Sequence, residues 1–277
     1  ARILQTIDRA IEQTEALIDK YQQIKAGLMH DLFTRGIGPD GQLRPPREQA
    51  PHLYQHTPIG WIPKEWEIRK LTDAVHNKPN AIVDGPFGSN LKTIHYRERG
   101  VPVIQSGYVT SGFFKAEKYH YVTEAHYLTQ SRSRVDPGDI VMAKIGAQAG
   151  KCALLPEDHP FGILAGNSLK ISTDESVLQR EFLLAYLHRL YSLTNMSSIR
   201  TETAQPAIAI SRLKKILVPI PLRNEQEFCS KSVICINEKL ASEYAKLEKL
   251  KKQKSGLMHD LLTGKVPVTP DPEPAHG

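Results

Sequence analysis

Cysteine is scarce: Cys152, Cys229 and Cys235 are spread thinly over 277 residues. No CxxC pair occurs, and Cys229 and Cys235 have no companion histidine cluster. That argues against a disulfide framework and a zinc finger, and fits free thiols in a reducing cytoplasm. Long apolar runs are also missing; none approaches the roughly 20 residues that span a bilayer. Ala1 to Lys25 alternates charged and apolar residues, so it does not read as a secretory leader. The chain opens on alanine rather than methionine, the expectation for a processed product or a piece of something longer.

Catalytic signatures are missing too. There is no GxSxG elbow, no HExxH and no dinucleotide fingerprint. An adenine methyltransferase should carry an Asn- or Asp-Pro-Pro-aromatic tetrad and a glycine-rich cofactor loop, and neither is present. Gly146 to Cys152 comes nearest to a phosphate-cradling loop. Its glycines enclose three residues where a P-loop has four, and Cys152 stands where a Ser or Thr would hold magnesium. A tight glycine turn is expected there. Asp136, Asp139 and Lys144 are the residue types of a metal-dependent nuclease, without a spacing that demands one. The 11 histidines are scattered, with His30 and His259 expected at helix ends.

What remains is an ordinary balance of 40% hydrophobic and 24% charged residues, with a formal net charge of +6. That excess suits a polyanionic partner, although many proteins with no such partner share it.

The strongest internal signal is a repeat. Lys25-Ala-Gly-Leu-Met-His-Asp-Leu-Phe-Thr34 returns as Lys254-Ser-Gly-Leu-Met-His-Asp-Leu-Leu-Thr263, with eight of ten positions identical and an offset of 229 (His259 minus His30). This is no solenoid period of about 20–50 residues, but a duplicated element flanking a large insert. Each copy closes a long helical pattern. Leu4, Ile7, Ile11, Ile18 and Tyr21 form one apolar stripe; Val233, Ile236, Leu240, Leu247, Leu250, Leu257 and Leu261 form the other. Sustained spacing near 3.5 predicts coiled-coil packing. Each helix should stop at a glycine, Gly36 or Gly264, with Pro39 or Pro267 shortly after. Helices of roughly 30–35 residues predict a projecting antiparallel pair, against the plainer alternative of two core helices supporting the insert.

The expected organisation is a helix over 1–36, a Gly/Pro-rich linker without apolar period over 37–59, a mixed α+β domain over 60–222, a second helix over 223–264 and a tail over 265–277. Within the domain, strands are expected at Val101–Gln105, Ile140–Ile145, Lys170–Ser172 and Ile216–Ile220, and a helix from about Ser176 to Leu193. Basic and polar residues are distributed over its glycine-rich turns: Ser89, Asn90, Lys92, Ser106, Tyr108, Lys115, Arg132, Arg134, Lys144, Gln148, Lys151, Arg200 and Gln205. Arg and Lys match guanine O6/N7, Asn and Gln match adenine N6/N7, and further cations hold phosphates. As an ensemble they are the candidate contacts to double-stranded DNA.

At this point the residues resemble a known family. Gly60-Trp-Ile-Pro-Lys-Glu-Trp66, Asp84-Gly-Pro-Phe-Gly-Ser89, Pro137-Gly-Asp-Ile-Val-Met142, and above all Val218-Pro-Ile-Pro-Leu222 running into Glu225-Gln226 and a long helix, are similar to the target-recognition domain of Type I restriction-modification specificity subunits. The repeat resembles that family's conserved regions. The resemblance implies two recognition domains separated by antiparallel helices, each reading half of a split target, with helix length fixing the spacer. It implies methyltransferase subunits docked on the helices, here through Leu28, Met29, Leu32, Leu257, Met258 and Leu261. Those partners would carry S-adenosylmethionine, leaving this chain without a cofactor, and a separate motor subunit would translocate and cleave. With only one recognition domain, this chain looks like a carboxy-terminal half or a naturally short form that pairs with a second copy. A cytoplasmic, non-catalytic DNA reader is therefore expected. The alternatives are a coiled-coil scaffold with a protein-binding central domain, and a fused methyltransferase or nuclease, against which the missing motifs count.

Overall fold

The structure, a computed structural model, describes residues 2–75, 79–194, 196–201 and 204–265. Pro267 and the rest of the tail lie outside these residues, as does the Ser89 side chain. In chain order the elements begin with α1 (Arg2–Thr34), β1 (Tyr54–Thr57), β2 (Gly60–Pro63), β3 (Glu67–Lys70), α2 (Leu71–Ala74), β4 (Ile82–Asp84) and β5 (Val101–Ile104). They continue with β6 (His120–Val122), α3 (Glu124–Thr129), β7 (Arg134–Val135), β8 (Ile140–Ala143), β9 (Cys152–Leu154) and β10 (Gly162–Leu164). The last are β11 (Ser168–Ile171), α4 (Arg180–Thr194), α5 (Ile210–Leu213), β12 (Leu217–Ile220) and α6 (Arg223–Leu262). None of the described helices is long and apolar enough to cross a membrane. The chain forms two compact units, residues 1–28 with 232–277 and residues 29–231.

In the first unit α1 and α6 run antiparallel, because contacts that climb one helix descend the other. Asp8 meets Lys254 at 2.6 Å, Glu15 meets Lys251 at 2.9 Å, and Gln22 donates to the Tyr244 hydroxyl at 2.7 Å. The seam between them buries Ile18, Leu240 and Leu247, with Ile11 and Tyr21 packed alongside. Ile11 and Ile18, like Leu240 and Leu247, are one heptad apart, the spacing that keeps a stripe turned to its partner. Thr14 falls halfway between and is buried; its hydroxyl donates to the Ala10 carbonyl at 2.8 Å, so this hydroxyl is not stranded in the seam.

Both helices stop as their glycines predict. Gly36 and Gly264 have φ of 61° and 70°, a conformation that costs an L side chain energy and glycine almost none. The repeat recurs even in its capping contacts. Thr34 and Thr263 each donate a hydroxyl hydrogen bond to the carbonyl of His30 or His259, at 2.7 Å in both cases.

The second unit is built on two four-stranded sheets, β6-β5-β10-β7 and β4-β11-β8-β9, antiparallel except for the β5–β10 pair. Val83, Val141, Ala143 and Ala153 from one sheet join Ile104, Val135 and Leu164 from the other in a single buried cluster, so the sheets pack face to face. All four residues of β8 are buried. Val141 and Ala143 face that cluster, and strand alternation sends Ile140 and Met142 to the opposite side. Burial on both faces explains why this strand reads as one continuous apolar run. Against the same sheet, His188 of α4 donates to the Cys152 carbonyl at 2.8 Å. Cys152 and Cys229 are buried and Cys235 exposed, all three as free thiols. Burial pushes the Cys152 and Cys229 thiols up, away from the reactive thiolate.

Two expectations change. The helix expected from Ser176 begins at Arg180, because the Asp174 carboxylate accepts from both the backbone and the hydroxyl of Ser176, holding that stretch in a turn. The segment 37–59 contains β1, paired with β2, and it is anchored. Arg44, 6% exposed, meets Glu225, 5% exposed, at 2.6 Å, and its other terminal nitrogen meets Glu65 at 2.6 Å. Glu225 also accepts from the Ile37 backbone at 2.6 Å and from Trp66 Nε1 at 3.0 Å. A Cβ on Gly36 would strike Glu225 Oε1, so the turn after α1 closes on this cluster. Gln226 accepts from the Gln179 backbone at 2.8 Å and donates to the carbonyls of Pro221 and Val177. The Glu-Gln pair at the start of α6 thus ties together the segments entering and leaving the domain. Its strands do the same: β3 and β12 pair antiparallel, Glu67 beside Ile220 and Lys70 beside Leu217.

Candidate nucleic-acid interface

The sequence places Asp84 at the end of an apolar strand, just before Gly-Pro-Phe-Gly. The backbone there is pressed against the loop after β10: a Cβ on Gly85 would collide with the Ala165 carbonyl, and one on Gly166 would come within 2.7 Å of the Pro86 oxygen. Two glycines therefore allow two loops to pack backbone on backbone. Phe87 leaves this junction 47% exposed. The Lys144 ammonium lies over that ring, 3.9 Å from its centroid, and 2.6 Å from Asp84 Oδ2. Arg132 reaches Asp84 Oδ1 at 3.0 Å, and the Ser133 hydroxyl donates to the Asp84 carbonyl at 2.9 Å. Burial opposes the charged form of Asp84, but Lys144 and Arg132 outweigh it and hold the carboxyl below its ordinary value. Asn167 completes the group: its carbonyl accepts from the Lys144 backbone at 2.8 Å and its side-chain oxygen from the Ser106 backbone at 3.4 Å.

Because the folded-state value of Asp84 is depressed, its stabilisation is full above the unfolded carboxyl value of about 3.9. It is lost as pH falls through the lower folded value. Urea melts across that acid window are expected to show a shallower pH dependence for Asp84→Asn than for the native chain; identical slopes would mean the carboxylate contributes nothing to the fold.

A second group surrounds the turn between β8 and β9. Gly146 and Gly150 have φ of 96° and 100°, and Gly150 N–H returns to the Ala143 carbonyl at 2.8 Å. This is a hairpin turn between antiparallel strands, whereas a P-loop leads from a strand into a helix N-terminus. Arg200 donates to the Gly146 and Ala147 carbonyls at 3.3 and 3.2 Å, and Gly146 N–H donates to Pro206 at 2.8 Å. Gln148 is exposed at the tip, Lys151 points its ammonium at the Tyr191 ring from 6.0 Å, and Gln205 is exposed on the adjoining segment. The Ile208 backbone donates to the Lys144 carbonyl at 2.8 Å, linking this group to the first.

Of the expected contacts, the structure thus draws Ser106, Arg132 and Lys144 into one group and Gln148, Lys151, Arg200 and Gln205 into its neighbour. The rest go elsewhere. Asn90 and Lys92 are exposed on the loop after Phe87. Tyr108 is half-buried against Phe114 and Tyr119, its hydroxyl donating to the Lys118 carbonyl at 2.7 Å; burial pushes that hydroxyl's pKa up. Lys115 pairs with Glu117 at 3.2 Å, and Arg134 pairs with Asp136 at 2.6 Å while lying over the Phe161 ring. Asp139 takes Lys170 at 2.8 Å, so Asp136, Asp139 and Lys144 have separate partners and form no shared site. Among the described residues no group of three or more His, Cys, Asp or Glu is placed to hold a metal. Sequence reasoning passed over Asp84, Phe87 and Asn167 as site residues. The signal for the first two was there, an acid and an aromatic bracketing Gly-Pro; Asn167 has none.

The six expected docking residues also divide. Met29 and Leu32 are buried, and their neighbour Phe33 packs at a tilt against Phe182 and Tyr186 of α4, with ring centroids 5.1 and 5.6 Å apart. Leu28, Leu257 and Leu261 are half-buried, and Met258 is exposed.

Two packed sheets thus carry one set of polar, glycine-cornered loops. The family model for the Type I restriction modification DNA specificity domain matches residues 63–252, and the chain belongs to that family: it is a Type I specificity subunit sequence. It is 26% identical over 272 residues to the Type I restriction enzyme MjaVIII specificity subunit of Methanocaldococcus jannaschii, covering 97% of this chain and 59% of the relative. The putative MjaX specificity subunit of the same organism is 25% identical over 270 residues, covering 97% and 56%. Among solved structures, the Type-I restriction-modification S subunit from M. genitalium shares the fold with a TM-score of 0.59 at 15% identity, over 97% of this chain and 60% of that one. The HsdS subunit from Thermoanaerobacter tengcongensis does so with a TM-score of 0.58 at 14% identity, over 96% and 56%. The chain spans less than two thirds of the length of each relative.

Proposed function

We propose that this chain is a non-catalytic DNA reader that recognises one half of a split target and docks methyltransferase subunits through its helices. The observation that carries the reading is the paired loop group: Arg132, Ser106, Gln148 and Gln205 stand on turns that glycines, Asn167 and Arg200 hold rigid. Rigid presentation of a few polar side chains is what base-edge reading requires, while the outlying Lys92 and Lys115 suit phosphates. S-adenosylmethionine belongs on the methyltransferase in this scheme. A coiled-coil scaffold has no use for such loops.

The docking surface narrows to the second copy of the repeat. Its first copy is spent inside the recognition domain, on Phe182 and Tyr186, whereas Leu257, Met258 and Leu261 offer the same apolar pattern to a partner. A second copy of this chain would have that seat filled by its own Phe33, so any self-pairing would run through other helix faces. Binding to duplex DNA should be steeply salt-dependent through counterion release. With about five phosphate contacts, affinity should fall roughly 500-fold between 50 and 200 mM salt. Fluorescence anisotropy with the full chain measures this, and a flat salt profile would refute the reading.

A further inference from the structure

Phe87 is an anomaly for a residue in a tightly built loop. Its backbone follows a junction packed closely at Gly85 and Gly166, yet the residue remains 47% exposed. One face of the ring is covered by the Lys144 ammonium, which is carried on a side chain 13% exposed and is bound to Asp84. Lys144 is therefore poorly placed to hold a phosphate: its charge is compensated at 2.6 Å and its head is shielded. Burying such a pair carries a desolvation cost that an apolar pair would avoid, and an exposed aromatic gains little for the fold. The arrangement makes sense if the ion pair serves to fix the ring, a cation held over its face in the favoured geometry.

We propose that Phe87 is an apolar specificity contact whose open face packs on a thymine methyl group, with Lys144 as its positioning residue. This rests on the DNA-reading proposal and refines it. The neighbours of the ring choose the ligand. Arg132, anchored on the other oxygen of Asp84, and Ser106, held through Asn167 beside the Lys144 backbone, are groups suited to base edges in the major groove. On those edges the C5 methyl of thymine is the one apolar protrusion. A ring with only one face open suits contact with such a methyl rather than insertion between base steps, which requires a wedge free on both sides.

The test uses the full chain and duplexes enriched from a random-sequence pool. In the enriched site, each thymine is replaced in turn by deoxyuridine, which removes only the methyl. One replacement is expected to weaken native binding about 4-fold, the affinity of one buried carbon group, and to have no effect on Phe87→Ala. Phe87→Leu should keep part of the discrimination. Lys144→Met, which retains the stem and loses the cation, should reduce it while leaving the salt slope unchanged. A melting curve for each variant separates loss of contact from loss of fold. If the native chain binds DNA but no thymine is sensitive, or if Phe87→Ala stays equally sensitive, the Phe87 assignment is wrong and DNA reading stands. If the native chain enriches no sequence at all, both fall together.

Discussion

Glu225→Ala is expected to cost the recognition domain about 3–5 kcal/mol, the penalty for stranding a buried charge, read as a lowered midpoint in urea unfolding. Glu225 meets Arg44, the Trp66 indole and the Ile37 backbone with its two carboxylate oxygens. Burial works against the Arg44 cation, and Glu225 and Glu65 outweigh it, raising the guanidinium's hold on its proton. The cation therefore cannot escape by neutralising. Removing Glu225 leaves Arg44 with the more exposed Glu65 as its one carboxylate partner among the described residues and deprives two further donors of their acceptor. Trp66→Phe removes one donor and also shrinks a side chain that is only 2% exposed, and should cost about 1–3 kcal/mol. Replacing Arg44 and Glu225 together by apolar residues of similar volume should recover most of the loss. Were Glu225→Ala to match the native midpoint, the cluster would be ornamental.

The second large effect is a contrast between two methionines with the same neighbours in sequence. Met29→Ala is expected to cost about 2–5 kcal/mol and Met258→Ala less than about 0.5 kcal/mol, measured by the same unfolding assay at a protein concentration too low for association. Met29 is 7% exposed and Met258 41%. Truncating the first opens a cavity; truncating the second removes atoms already in water. Equal costs would mean that the second copy is covered as fully as the first.

That contrast also marks how far the sequence can be read. The seam of the helical pair was legible because burial there follows a local rule, an apolar residue returning one heptad on, as in Ile11 and Ile18 or Leu240 and Leu247. The stops at Gly36 and Gly264 and the strand Ile140–Ala143 followed equally local rules. Met29 and Met258 did not, since identical letters are sorted by what the tertiary structure places beside them. Arg44 looked like one polar residue in a loose linker because its partner lies 181 positions away. The same blindness affected the basic residues proposed for DNA. Lys144 and Arg134 read as available cations until strand pairing supplied Asp84 to one, while a turn brought Asp136 to the other. Of the expected contacts that the structure draws together, Gln148 and Lys151 lie on the β8–β9 hairpin, where glycine spacing announces the geometry, whereas Ser106, Arg132 and Arg200 stand on other turns that tertiary contacts bring beside it. Asn167 bridges two loops through its backbone as much as its side chain, a role with no compositional trace.

The pairing of β3 with β12 has a consequence for how such a molecule changes its specificity. The polypeptide enters and leaves the segment between these strands at two points one strand spacing apart, about 4.8 Å, and Arg44, Trp66 and Glu225 all lie outside that segment in sequence. The segment from Leu71 to Ile216 thus begins and ends at neighbouring points. A foreign module with neighbouring termini could be spliced across the same two strands, provided that it also supplied partners for Phe33 and Gln226, which Phe182, Tyr186 and Gln179 satisfy here.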